Sequence, residues 1–181
     1  MVGWTMASTD TGGNTAAGWA HQEITRYAKA ASKGDRAAFS ALFGLRAVPT
    51  YVSIACLAGQ DAPLDALTIR VFERAWHRLP LLEQPEQFDR WLLDVVTEVT
   101  DAEPRPNLDE TRGLGRLVGG LATLVPRHRE VLLLRNVFRA SAASVAQALS
   151  LEVDEVHRLE QISLELISEH AQPNQPASLA A

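Results

Sequence analysis

The chain has 181 residues, 46% of them hydrophobic, a net charge of -5 and a single cysteine, Cys56. This composition suffices for one ordinary domain or two small ones, and one cysteine excludes a disulfide framework. No run approaches the roughly 18 uninterrupted apolar residues of a membrane span, and no secretory signal pattern begins the chain. We therefore expect a cytoplasmic protein that does not contact a membrane.

Four helices are predicted in the first half of the chain. Residues 1–20 are rich in Gly, Ser, Thr and Ala without an apolar period, which indicates a flexible N-terminal tail. Apolar residues then recur at helical spacing between turn and cap signals, and the helices form a domain over residues 21–102. They are predicted from about His21 to Gly34, from the cap Asp35 across a bend or break at Pro49, from Pro63 to before Pro80, and from Pro85 onward.

Four further helices are predicted in the second half. Prolines and acidic residues interrupt the helical pattern and indicate a short linker at 103–110. A second domain then covers residues 111–170, and residues 171–181 return to the composition of a flexible tail. The predicted helices lie near 114–124, 126–138, 142–149 and 153–169. The predicted fold class is all-α, with two small helical domains joined by the short linker.

The last two predicted helices have the order of a helix-turn-helix. Ser141 is placed to cap the first of them, and the turn 150–152 leads into the longer second helix. Any three-helix bundle can show this pattern, so alone it leaves DNA binding open. Catalytic motifs and clusters of metal-binding residues are not found in the sequence. We predict that the protein is not an enzyme and uses no cofactor or metal.

Two segments of the sequence resemble the extracytoplasmic-function sigma factors. The fourth region of that family, which contains a helix-turn-helix, resembles the segments LVPRHREVLLLRNV and SVAQALSLEVDEVHRL. The second region of the family resembles three segments, which occur in the same order along the chain: KGDRAAFSALFGLRAVPTYVSIACLAG, VFERAWHRLP and FDRWLL. The resemblance implies that the first domain binds the RNA polymerase core and opens promoter DNA, while the second recognises an upstream promoter element. An anti-sigma factor or other regulatory protein is a further expected partner.

The resemblance also assigns candidate site residues. In the polymerase-binding helix, Ile69 and Arg70 stand where the family usually has a Gln-Glu pair. The candidate polymerase contacts are Asp65, Ile69, Arg70 and Glu73, and the candidate DNA contacts are Arg127, Arg129, Ser144, His157, Arg158 and Gln161.

Charges on both predicted domains leave two functions open. Arg127, His128, Arg129, Arg135 and Arg139 are expected to form a positive surface. Carboxylates such as Asp94, Glu98, Glu160 and Glu165 are expected to face DNA and repel it. The first hypothesis is a divergent sigma factor that directs transcription initiation. The alternative is a degenerate sigma-like regulatory protein that no longer initiates transcription and binds another regulator, with its acidic last helix as the contact.

Overall fold

The computed structural model describes residues 12–59, 61–102, 120–121 and 123–171. Within these residues there is no β-strand, and the predicted all-α class is confirmed. The helices are α1 (Gly12–Ala31), α2 (Arg36–Ala58), α3 (Leu64–Arg78), α4 (Phe88–Asp101), α5 (Pro126–Leu132), α6 (Ala142–Leu149) and α7 (Val153–Ala171). Short 3-10 turns at Leu79–Leu81 and Pro85–Gln87 connect α3 to α4.

Helix α1 begins earlier than predicted. It starts at Gly12, so the part of the predicted tail from residue 12 to 20 is helical, and that boundary was wrong. Alanines are frequent in this segment, and alanine is the strongest helix former, which a composition typical of tails concealed. The predicted stop is confirmed, since the helix ends at Ala31 and Gly34 lies in the turn after it with a φ of 92°. Residues 1–11, the linker 103–110 and residues 172–181 lie outside the described residues.

Helix α2 begins at the predicted cap and runs through a proline. The Asp35 carboxylate accepts hydrogen bonds from the backbone N–H groups of Ala37 and Ala38 at 2.9 and 3.1 Å. Pro49 lies inside the helix without dividing it. Because proline has no N–H, it leaves the carbonyl of Leu45, four residues earlier, without its helical donor. The Arg46 guanidinium donates to this carbonyl from Nη1 at 3.3 Å.

Helix α2 is also the centre of the first half. By length and composition alone it could cross a membrane. In the structure, however, it packs against α1, α3 and α4, and Leu42 and Ile54 are completely buried. Arg46 forms a paired contact with Asp89 of α4 at 2.6 and 2.8 Å, and the two side chains are 11% and 13% exposed. These contacts bury one side of α2, while Val48 and Tyr51 on its other side are 71% and 39% exposed.

Buried residues of both halves meet in one core. The main cluster includes Leu92 and Val96 of α4 together with Leu134 and Val145 of the second half. In a smaller cluster, Leu121, Leu124, Leu132 and Ile167 pack against Cys56 of α2. Burial raises the pKa of the Cys56 thiol. The division into two domains stays a prediction, and in this structure the two halves pack on each other through apolar side chains.

The second half contains the predicted helix-turn-helix. The predicted helix 126–138 ends as α5 at Leu132 and continues as a π-helical turn, Leu133–Val137. The Ser141 hydroxyl caps α6 by accepting from the backbone N–H of Ser144 at 3.1 Å, as predicted. Ser150 then turns the chain into α7 in the left-handed conformation, with φ 54° and ψ 48°. The order of α6, turn and α7 is confirmed.

Candidate polymerase and nucleic-acid interfaces

Helix α7 presents three of the predicted DNA contacts on its outward side. His157, Arg158 and Gln161 are all exposed. Arg158 lies 3.8 Å from the carboxylate of Glu155, and the Gln161 amide donates to Glu165 at 3.0 Å. These side chains share the face of α7 that is turned away from α5 and α6, so they are accessible to a ligand.

The predicted DNA contacts of α5 are engaged within the fold instead. Arg127 donates from Nη2 to the carbonyl of Leu149 at 2.6 Å. Arg129 donates to the carbonyls of Leu121 and Leu124 at 3.1 and 3.0 Å. Carbonyl groups at the ends of helices lack intrahelical donors, and these arginines supply them. In this structure both guanidinium groups therefore join elements of the second half.

Ser144 lies beside the first half of the molecule. Its hydroxyl is 2.8 Å from that of Ser141. Ser144 also lines a small cavity that His21 and Gln87 border from the other half. The six predicted DNA contacts are therefore not brought together on one surface.

The expected positive surface is largely engaged in internal contacts. Arg135 donates to Glu160 at 3.1 Å and to the carbonyl of Ala140 at 2.7 Å. Asn136 donates to the other Glu160 oxygen at 3.0 Å, and the His128 ring lies 3.2 Å from the Ser163 hydroxyl. The Arg135 and Glu160 side chains are only 23% and 17% exposed. Residues that the sequence analysis assigned to a positive surface thus hold α5 and the π-helical turn after it against α7.

The acidic residues of α4 are also paired with arginines. Glu98 accepts hydrogen bonds from Arg74 at 3.1 Å and from Arg78 at 3.0 Å, and the bond from Arg78 holds the pKa of Glu98 below its ordinary value. Asp94 accepts from Arg90 at 2.7 Å, yet burial raises the pKa of Asp94 above its ordinary value. These carboxylates therefore offer less repulsion to a polyanion than an unpaired row would.

Arg90 also joins the two halves. Its Nε donates to Glu130 of α5, and Arg127 lies 3.6 Å from the same carboxylate. A cavity of about 300 Å³ lies here, lined by residues of both halves such as Leu93 and Leu133. A chain of alternating charges thus lies along the contact between α4 and α5.

The predicted polymerase contacts share the outer face of α3. Asp65, Ile69, Arg70 and Glu73 are all exposed, and Ile69 shows 57% of its surface. Ile69 and Glu73 border an apolar groove of about 300 Å³ between α2 and α3. We call it the aromatic groove, since its other lining residues are Phe39, Phe43, Phe72, Trp76 and His77.

The aromatic groove was not predicted as a surface. Phe39 and Phe43 are four residues apart, a spacing typical of an apolar stripe that the core covers. In the structure Phe43 stays partly exposed, with its ring centroid 4.7 Å from that of Phe72. The ring centroid of Phe39 lies 4.9 Å from that of Trp76, with the two ring planes tilted by 56°. The sequence signal that pointed to this surface was Ile69, an aliphatic residue on the polar side of a helix.

Comparisons with known proteins bear on the fold. The sequence matches no protein-family model and no curated protein. The structure is similar to CnrH, an extracytoplasmic-function sigma factor, in its complex with the cytosolic domain of CnrY. The TM-score is 0.60 at 21% identity, covering 81% of this chain and 96% of that chain. A chain of the RsbN-BldN complex matches with a TM-score of 0.38 at 22% identity, covering 78% of this chain and 97% of the other. The fold that the resemblance implied is confirmed by the similarity to CnrH.

Proposed function

We propose that the protein is a divergent sigma factor, which binds the RNA polymerase core in the cytoplasm and directs it to promoter DNA. The observation that carries this proposal is the all-helical fold shared with CnrH over 96% of that chain, across both halves. A helix-turn-helix in the second half and an accessible α3 face in the first agree with it. The protein acts by binding and carries out no catalysis of its own.

Polymerase docking would use the aromatic groove and the α3 residues around it. The groove offers a cavity of about 300 Å³ with mostly apolar walls, bordered by Glu73 and His77. Apolar surface that becomes buried at an interface favours binding, with a transfer free energy of about 25 cal/mol per Å² of surface removed from water. The proposed contact is therefore more hydrophobic than one formed by a Gln-Glu pair, with Ile69 as its central side chain.

Promoter recognition would use the outward side of α7. His157, Arg158 and Gln161 supply hydrogen-bond donors, and an arginine can bind a guanine edge through two hydrogen bonds. In the second half, Arg127 and Arg129 donate to internal carbonyls, so fewer cations remain for phosphate contacts. We therefore propose that the isolated protein binds promoter DNA weakly and recognises promoters only as part of the polymerase complex.

The test is copurification with core RNA polymerase, followed by run-off transcription from a library of bacterial promoter fragments. The protein should remain on the core enzyme at modest salt and yield discrete transcripts. Ile69→Glu should weaken core binding about tenfold or more, because it places a charge in an apolar contact. Leu81→Glu is the matched control, since Leu81 is exposed outside the aromatic groove. Absence of core binding by the wild-type protein would overturn the proposal.

A second candidate function is a sigma-like regulator that acts through another protein without initiating transcription. The specific observation that favours it is the acidic outer side of α7, where Asp154, Glu165 and Glu169 are exposed. CnrH was solved in complex with a domain of CnrY, and a regulatory protein partner is proposed here by analogy. Core binding without transcripts from any promoter fragment would favour this candidate over the first.

A further inference from the structure

The outward side of α7 carries an unpartnered apolar pair. Ile162 and Leu166, one helical turn apart, are 38% and 45% exposed. The opposite side of α7 buries Val156, Ser163 and Ile167 against the rest of the second half. Residues four apart lie on the same face of a helix, so the exposed pair forms a short apolar strip that faces away from the core.

Carboxylates flank this strip at helical spacing. Glu155, Glu165 and Glu169 lie three or seven residues from Ile162 or Leu166, on the same side of the helix. Glu165 accepts a hydrogen bond from the neutral Gln161, and among the described residues neither Glu165 nor Glu169 has an ion-pair partner. Arg158, 3.8 Å from Glu155, offsets part of this charge. We call the strip and its three glutamates the acidic face of α7.

The charges and the apolar strip of the acidic face favour one class of partner over others. A phosphate backbone would be repelled by the glutamates and would gain nothing from the apolar strip. A second copy of α7 would bring the same carboxylates together, and like charges across an interface cost several kcal/mol. A cationic helix with an apolar stripe satisfies both features at once, because amphipathic helices bind through residues three and four apart.

We propose that the acidic face of α7 is a docking surface for a basic amphipathic helix of a partner protein. Apolar residues of the partner would pack on Ile162 and Leu166, while its Lys or Arg residues would lie against Glu155, Glu165 and Glu169. This proposal deepens the second candidate function, on which it rests. Because His157, Arg158 and Gln161 share the outward side of α7, the docked helix would also exclude DNA from them.

The test uses a synthetic helical peptide as the probe. The peptide has a stripe of leucines at every third or fourth position, flanked by lysines, and a fluorescent label for anisotropy titration against the full-length protein. A peptide with glutamate in place of every lysine is its control. The protein variants are Glu165→Lys with Glu169→Lys, and Ile162→Gln with Leu166→Gln. The matched charge control is Glu83→Lys with Glu86→Lys, because both residues are exposed on the first half.

The lysine peptide should bind the wild-type protein, and each α7 double variant should weaken binding about tenfold or more, while the Glu83 and Glu86 variant stays near wild type. Circular dichroism checks that the variants fold; if the Gln variant does not, the Lys variant decides. Equal weakening by both charge-reversal variants, or equal binding of the glutamate peptide, would overturn the proposal. No binding of the lysine peptide would overturn it too, and core-polymerase binding would still test the proposed function separately.

Discussion

Arginines serve different purposes in the two halves of the molecule. In the first half, Arg74 and Arg78 meet Glu98 on the surface, where water and salt weaken their attraction. In the second half, Arg129 and Arg135 donate to backbone carbonyls, and Arg135 also pairs with the partly buried Glu160. The difference teaches that the number of arginines predicts neither a nucleic-acid surface nor stability. What matters is whether water remains around the guanidinium group.

The largest expected effect is at the internal pair of the second half. Arg135→Met should lower the free energy of unfolding by about 2–3 kcal/mol, because Glu160 and the Ala140 carbonyl would lose a charged donor in a poorly hydrated site. Urea unfolding measures this change. The double variant Arg135→Met with Glu160→Met should lose less than the single one. An equal loss in both would contradict the idea that an unpaired carboxylate causes the cost.

Arg46 can show whether burial, and not the half of the molecule, determines how much an arginine contributes to stability. It belongs to the first half but is more buried than Arg135, at 11% against 23% exposed, in its pair with Asp89. If burial decides, Arg46→Met should cost about 2–3 kcal/mol in urea unfolding, as much as Arg135→Met. Arg74→Met, whose partner Glu98 is exposed, is the control and should shift the unfolding midpoint little. Similar shifts for both variants would show that burial is not the deciding property.

Ser150 tests whether backbone strain in the turn matters beside these charges. Its φ of 54° places a residue with a Cβ in the left-handed region, where glycine is favoured. Ser150→Gly should raise the melting temperature, with a gain of about 1 kcal/mol. Ser150→Ala keeps the Cβ and should show no comparable gain. A destabilised glycine variant would mean that the serine is compensated elsewhere in the turn.

The smallest effects are expected from two carboxylates of α4, with opposite signs. The pKa of Glu98 is lowered in the folded protein, so its stabilisation is present above its ordinary value of 4.5 and is lost as the pH falls through the lowered pKa. The pKa of Asp94 is raised, so ionised Asp94 disfavours folding, and this cost is relieved as the pH falls through the raised pKa towards the ordinary 3.8. The two residues should therefore respond differently to neutralisation.

Thermal unfolding of Glu98→Gln and Asp94→Asn across the acidic range measures this difference. At neutral pH the Glu98 variant should be slightly less stable than wild type, and the Asp94 variant equal or slightly more stable. Both differences should vanish at low pH, where the wild-type carboxylates are protonated. Parallel curves for the two variants would contradict the opposite pKa shifts.

Much of the local structure could be predicted, because it depends on neighbouring residues. Asp35 and Ser141 cap helices by bonding to N–H groups two or three residues away, and sequence spacing reveals such contacts. The start of α1 was missed, since alanine favours helices even in a segment with the composition of a tail. The class of fold followed from the resemblance and the helical period together.

The candidate sites were less predictable, because their partners are distant in sequence. Arg127 bonds to a carbonyl 22 residues away, and no local pattern distinguishes it from a DNA contact. The aromatic groove depends on how α2 and α3 pack, and Phe43 stays 43% exposed there although its spacing is that of a core residue. Ile69 was predicted to be a polymerase contact, but only the packing shows which side chains lie beside it.

The proline of α2 has one more consequence. The guanidinium of Arg46 both binds Asp89 of α4 and donates to the Leu45 carbonyl that Pro49 leaves without a donor. The side chain that supplies the missing donor in α2 thus also binds the neighbouring helix α4. Release of α4 would therefore loosen α2 at its middle turn, and amide protons around Pro49 and along α4 should exchange with solvent in a single cooperative opening.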